Sequence, residues 1–119
     1  MRDVISEASA KGIMFIAAAG NDGSTEKFYP AAYPEVLAVT ALDNGQLAPY
    51  ANHGDFVSLA ASGTSIISYG GRSYYAMGTS EAAPKVAGGL AAYVENSHPS
   101  MPERRSYLGT TYGFKPAAK

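Results

Sequence analysis

Ser80 stands at a junction that can make its hydroxyl reactive. The stretch Gly78-Thr79-Ser80-Glu81-Ala82-Ala83-Pro84-Lys85-Val86-Ala87-Gly88 places it after a Gly-Thr turn, at the start of a helix-compatible run. Pro84 reads as a first-turn residue, where a missing N–H costs little. A hydroxyl held there faces the positive end of the helix dipole, which favours negative charge developing on or beside it. A serine remains a weak nucleophile until a base takes its proton, and the base needs a carboxylate to orient it. The chain offers two histidines, His53 and His98. His53 falls in a loop between strand candidates. His98 ends the long helix that Ser80 begins, roughly 27 Å away at the helical rise per residue. Asp22, Asp43 and Asp55 all sit in turn-like contexts, where their short side chains serve the turn itself. Glu81 next to Ser80 reads first as N-terminal helix stabilisation. The alternatives are a hydrogen-bond acceptor, or a charge that raises the serine's effective pKa. Lys85 reads as a surface residue whose stem covers apolar area. Taken alone, Gly-Thr-Ser before a helix also fits an ordinary N-cap turn.

The 119 residues fit one small domain, with 46% hydrophobic and 16% charged residues, a globular balance. Net charge is −1, so no electrostatic case exists for nucleic acid or an anionic membrane as partner. Without cysteine there is neither a disulfide nor a thiolate metal site. No apolar run approaches a membrane span, and the apolar stretch within Met1 to Glu7 is too short for a signal peptide.

The elements that must position Ser80 follow from periodicity and turn residues. Residues 1–11 predict the end of an amphipathic helix with Val4, Ile5 and Ala8 on one side and Gly12 as its stop. Ile13 to Ala19 is a continuous apolar run, expected of a strand buried on both faces of a parallel sheet. Gly20 to Ser24 is a turn at its C-terminal end. Tyr29-Pro30 and Tyr33-Pro34 bracket a rigid loop. Val36 to Leu42 is a second buried strand, closed by the Asp43-Asn44-Gly45 turn. Phe56 to Ala60 and Thr64 to Ser68 are shorter strands. Gly70-Gly71 predicts a hairpin with Tyr74, Tyr75 and Ala76 on its return. The longest helix runs from about Ser80 to Asn96, with Val86, Leu90 and Val94 on one face and Gly88 and Gly89 permitting close approach to the sheet. A short helix spans Pro102 to Leu108, stopped by Gly109. Arg104-Arg105 reads as a solvated face, and residues 115–119 as a frayed tail.

The stretch 78–88 closely resembles the serine box of subtilisin-like serine proteases, the subtilases, at eight fixed positions. Ala17-Ala18-Ala19-Gly20-Asn21-Asp22-Gly23 resembles the asparagine box of that family. Tyr29 to Val39 is similar to the segment that follows it, and Tyr50 to Gly63 to the Ser-Asn-x-Gly…Val-Asp-Leu-x-Ala-Pro-Gly pattern, with Ser62 where that pattern has proline. Lys85 replaces a frequent histidine. The likeness spans about residues 12–100, in the family's order.

The resemblance implies an α/β fold, a parallel sheet flanked by helices, forming the C-terminal portion of the three-layer subtilisin-like architecture. It implies Ser80 as nucleophile and Asn21 as side-chain donor to the oxyanion, with the Ser80 N–H as second donor. It places Ala18, Ala19, Gly20, Phe28, Gly78 and Thr79 at the substrate cleft and makes Tyr29-Pro30 a candidate cis bond. No cofactor is required. Backbone carbonyls of Ala31, Tyr33 and Val36 would hold a weak cation, calcium or sodium. The substrate would be a peptide or protein, and the setting secreted or extracytoplasmic.

The family's Asp and His boxes precede its asparagine box. Here the residues before Asn21 carry Asp3, no histidine and neither box. His53 matches a non-catalytic family position. Residues 1–119 therefore read as one partial catalytic domain, needing an N-terminal half that carries Asp and His and leaving an open sheet edge where that half belongs. The competing reading is an inactive fragment or pseudo-protease acting as a binding or structural module.

Overall fold

The structure, a computed structural model, describes residues 1–115. Residues 116–119, most of the tail expected to fray, lie outside the described part. Helix α1 (Arg2–Ala10) precedes strand β1 (Phe15–Ala18); β2 (Val36–Asp43) and the two-residue β3 (Gln46–Leu47) follow. Then come β4 (Val57–Ser62), β5 (Thr64–Tyr69), β6 (Arg72–Met77), α2 (Thr79–Ser97) and α3 (Met101–Tyr112).

β2 is the central strand, parallel to β1 on one side and to β4 on the other. Its residues from Ala38 to Ala41 are all buried, as a strand covered on both faces requires. β1 is shorter than expected and only half-buried. β3 is a short antiparallel return onto the end of β2, turned by Asn44 and Gly45, both at positive φ (51° and 80°). The sequence shows that turn but not the two-residue strand after it.

One face of the sheet carries Val39, Ala41, Leu59 and Ala61 against Ala82, Val86 and Leu90 of α2 and Leu108 of α3. Burying each of the larger side chains contributes about 1.5–3 kcal/mol. Alanines on both surfaces let α2 lie close to the strands. The other face holds Ala19, Ala31, Ala38 and Val57, with Phe56 and Phe114 packed beside them. Val57 and Leu59 would share a face in a regular strand. The register slips opposite Ala38 and Val39, and the two residues serve opposite sides of the sheet.

β5 and β6 form a separate two-stranded hairpin, turned by Gly70 and Gly71 at φ 58° and 76°, the conformation of a two-residue type I′ turn. The two-residue turn sets the register, so Ile66 pairs with Tyr75 and Ile67 with Tyr74.

Four local expectations change. Val4 is 69% exposed, leaving Ile5 as the buried residue of α1. Gly109 does not stop α3, which continues to Tyr112 from a capping box in which Ser100 and Glu103 bond reciprocally. Close approach at Gly89 is made by Tyr112 of α3, not by the sheet. Tyr107 stacks on Tyr93 at 4.3 Å and meets Tyr112 edge-on at 6.3 Å, so aromatic packing joins α2 to α3. Arg104 is half-buried, its Nε donating to the Pro99 carbonyl at 3.2 Å, and is no freely solvated residue.

Among the described residues β1 pairs only with β2, whereas the outer edge of β4 is capped by Gly113 and Phe114. Beside the open edge an apolar groove of about 560 Å³ runs between Ile13–Ile16 and the exposed flank of α2 at Ala87 and Ala91. Among the described residues no helix is long and apolar enough to cross a membrane.

Candidate active site

Ser80 is the second residue of α2 and exposed. The residue four before it, Ala76, belongs to β6, so its N–H has no intrahelical i→i−4 acceptor and is free for a ligand. Gly78 makes the turn at φ 151°, a conformation that L side chains rarely adopt. Its N–H donates to the Gly63 carbonyl at 2.8 Å, and its own carbonyl accepts the Glu81 N–H at 3.1 Å.

The helix begins at Thr79, which moves Pro84 out of the first turn and into the interior. Its missing N–H is the one that would bond the Ser80 carbonyl in an i→i−4 ladder. The expectation of a cost-free position is therefore corrected: the proline strips one helical bond from the serine itself.

Asn21 reaches the same turn from the opposite side. It follows β1, exposed, in the Gly20–Ser24 turn. Its Oδ1 accepts the Thr79 N–H at 2.8 Å and the Thr79 hydroxyl at 2.9 Å. Because an N–H can only donate, the atom facing Thr79 is the oxygen, and Nδ2 points elsewhere as a donor. The Thr79 hydroxyl in turn accepts the Gly20 N–H at 3.1 Å. Asn21 Nδ2 lies beside Gly78, where an added Cβ would come within 3.4 Å of it. Thr79 thus locks the amide of Asn21 in one orientation next to the serine turn.

Thr79 itself is fully buried, as is Ala19. The resemblance put both at the cleft; their side chains have no surface for a ligand and instead support it from behind. The Ala19 N–H donates to the Val39 carbonyl at 2.9 Å, and its carbonyl accepts Asn52 Nδ2 at 3.1 Å. Ala18 ends β1 and is half-buried, as is Gly20; Gly78 is buried, and Phe28 is 39% exposed. Tyr29-Pro30 is cis. Ala31 and Val36 are buried, and the Tyr33 carbonyl accepts the Val36 N–H at 3.0 Å. Glu35 in the same loop accepts the Ser6 hydroxyl of α1 at 2.9 Å. Its own backbone hydrogen bond and the Ser6 bond hold its carboxyl below the usual range.

Sequence reasoning missed Asn52 as a structural hub. It is fully buried, and its Oδ1 accepts the N–H groups of Asp22 at 2.9 Å and Ser24 at 3.0 Å. Its own N–H donates to the Gly20 carbonyl at 2.9 Å, and its carbonyl accepts the Thr40 hydroxyl at 2.6 Å. One side chain therefore shapes the loop that presents Asn21. The signal in the sequence is the Asn52-His53-Gly54 part of the stretch Tyr50–Gly63. Lys85, half-buried at the surface, has a task beyond covering apolar area: its Nζ donates to the carbonyls of Ser62 at 3.0 Å and Thr64 at 2.6 Å.

The structure brings Ser80, Asn21, Thr79 and Gly78 together. It does not bring a histidine with them. The His53 ring nitrogen Nδ1 meets the Ala51 carbonyl of its own loop at 3.2 Å. His98 caps the far end of α2 at φ 46°.

A family profile described as the subtilase family, peptidase S8, matches residues 1–111. The chain is 40% identical over 114 residues to the thermophilic serine proteinase of Bacillus sp. strain AK1, covering 93% of this chain and 28% of that protein. It is 40% identical over 105 residues to the halolysin-like extracellular serine protease Nep of Natrialba magadii, covering 84% and 19% respectively. Among solved structures it resembles the prenylagaramide maturation protease PagA, with TM-score 0.75 and 32% identity over 79% of this chain and 36% of that one. The chain thus spans less than a third of the length of either sequence relative.

Proposed function

Since this chain belongs to the subtilase family and has its α/β fold, we propose that it supplies the nucleophile and oxyanion hole of a serine endopeptidase. The observation that carries this is the Thr79 lock, which joins Asn21 to the turn bearing Ser80. In the reaction, Ser80 Oγ forms a bond to the scissile carbonyl carbon as a base takes the hydroxyl proton. The carbonyl oxygen becomes an oxyanion facing the Ser80 N–H and Asn21 Nδ2. Collapse breaks the C–N bond, and the proton leaves on the departing amine. Water then releases the acyl group from Ser80 by the reverse sequence.

The base and its carboxylate come, in this reading, from an N-terminal half of the same domain. The unpaired edge of β1 and the apolar groove beside it support that partner, since both are surfaces left for more sheet and helix. The substrate is a peptide or protein, and the setting extracytoplasmic, a reading supported by the Natrialba relative, which is an extracellular protease.

The test is to assemble the chain with a subtilase N-terminal half, assay a peptide ester and compare Ser80→Ala. Turnover that depends on Ser80 is expected, and the variant should fall by at least about 10³-fold. Equal activity in both would sink the assignment. The second reading, a non-catalytic binding module, is favoured by one observation: neither described histidine is arranged to serve Ser80. It predicts that no complementing half restores turnover.

The resemblance also implies a cation on the Ala31, Tyr33 and Val36 carbonyls. One lone pair of the Tyr33 carbonyl is already used, and no cluster of acidic or histidine ligands exists among the described residues. Neutral carbonyls of this kind fit a weakly held ion. Calcium at millimolar concentration should then raise Tm by about 1–4 °C over a magnesium control, consistent with weak linkage; identical melting curves would remove the site.

A further inference from the structure

Successive carbonyls of an extended chain point to opposite sides. At residues 62–64, where β4 gives way to β5, the alternation is divided between two contacts with the same helix. The carbonyls of Ser62 and Thr64 face Lys85, whose Nζ donates to them at 3.0 Å and 2.6 Å. The carbonyl between them, on Gly63, faces the other way and accepts the Gly78 N–H at 2.8 Å.

Gly78 is the N-cap of α2, two residues before Ser80; Lys85 lies five residues after it. The helix therefore grips the β4–β5 joint at two points that bracket the serine. On the remaining side the joint lies hard against the sheet. A Cβ on Gly63 would come within 2.5 Å of Tyr50 Oη and 2.6 Å of Ala41 Cβ, and the Gly63 N–H donates to the Leu42 carbonyl at 3.0 Å. The joint has no space to relax toward the sheet, so its freedom lies toward α2, where Lys85 holds it.

We propose that Lys85 is a positioning residue for Ser80: its ammonium clamps the joint whose Gly63 carbonyl fixes the N-cap of the nucleophile helix. This rests on Ser80 being the nucleophile. An ammonium suits the task because it carries three donors on one atom and makes charge-assisted bonds to both carbonyls. An imidazole, frequent here in the family by the resemblance above, sends its two ring nitrogens in divergent directions and cannot serve both.

Lys85→Met keeps the stem and removes the donors; Lys85→Arg restores them. Both are to be made in the complete protein, with kcat and KM measured per folded molecule and exchange of the Gly78 amide hydrogen followed by NMR on the same samples. The methionine variant should lose about tenfold in kcat, with KM within about twofold, as expected when only transition-state geometry suffers. Its Gly78 amide should exchange about tenfold faster, and arginine should restore both. Wild-type kcat and wild-type Gly78 exchange in Lys85→Met would overturn the proposal. A loss of stability alone, with kcat per folded molecule intact, also counts against it. If the wild type shows no Ser80-dependent turnover, the protease reading has failed instead, and Gly78 exchange alone then decides the clamp. Should Lys85→Met not fold, Lys85→Gln places an uncharged amide nitrogen one bond short of the ammonium and should give a partial loss; a glutamine variant identical to wild type would refute the charge-assisted clamp.

Discussion

Replacing Asn52 by leucine is expected to lower the unfolding free energy by about 3–5 kcal/mol, through two orphaned N–H groups and one orphaned carbonyl. Leucine has similar bulk but neither donor nor acceptor. The N–H groups of Asp22 and Ser24 and the carbonyl of Ala19 would lose their partners at once. Asp22 is exposed and Ser24 half-buried, so water recovers part of the loss there. The Ala19 carbonyl belongs to a completely buried residue and has less recourse. Gly20 allows no adjustment by the main chain, since it holds φ 112° with the Asn52 amide packed where a side chain would sit. The measurement is a denaturant titration of the complete protein. A midpoint shift at unchanged m is the expected result, and a shift worth less than about 1 kcal/mol would show that Asn52 is not the hub.

The second large effect concerns chemistry. Asn21→Ala in the active assembly should reduce kcat by about 10²–10³-fold with little change in KM, because the amide is needed only once the oxyanion forms. That magnitude is the known cost of losing the equivalent donor in a subtilisin, a member of this family, and is not obtained from the present geometry. The structure adds a correlate. Thr79→Val removes the hydroxyl that fixes Oδ1 while leaving the Thr79 N–H bond in place. It should therefore cost kcat less than loss of Asn21 itself, with the same unchanged KM. Steady-state kinetics on a peptide ester separates the two parameters. A rise in KM at constant kcat for Asn21→Ala would move the residue from oxyanion stabilisation to ground-state binding.

Much of the frame is legible from local pattern. The apolar run at Val36–Leu42 could only be a strand buried on both faces, and β2 is one. The paired glycines at 70 and 71 enforce a turn whatever surrounds them, because both adopt positive φ. The helix from the serine box to His98-Pro99 was bounded to within a residue at each end. Errors arose where a local signal competes with a distant partner. Gly109 looks like a helix stop, but Tyr107 and Tyr112 continue an aromatic packing with α2 that carries the helix through it. Val57 and Leu59 look equivalent, but a register slip against β2 separates them. The half-buried state of β1 depends on its pairing on one side only, which no run of apolar residues can report.

By itself the sequence determined the family and most of the strand-and-helix order, and it singled out Ser80 and Asn21 as candidates, because these rest on residue type and spacing along the chain. Only the tertiary structure decided what holds them. Thr79 is 58 residues from Asn21, Asn52 is 33 from Ala19, and Lys85 is 21 from Thr64. A hydrogen bond between a side chain and a backbone group so far away leaves no periodicity in the sequence. It appears only when the sheet brings the end of β1, the Asn52 loop and the first turns of α2 to one place.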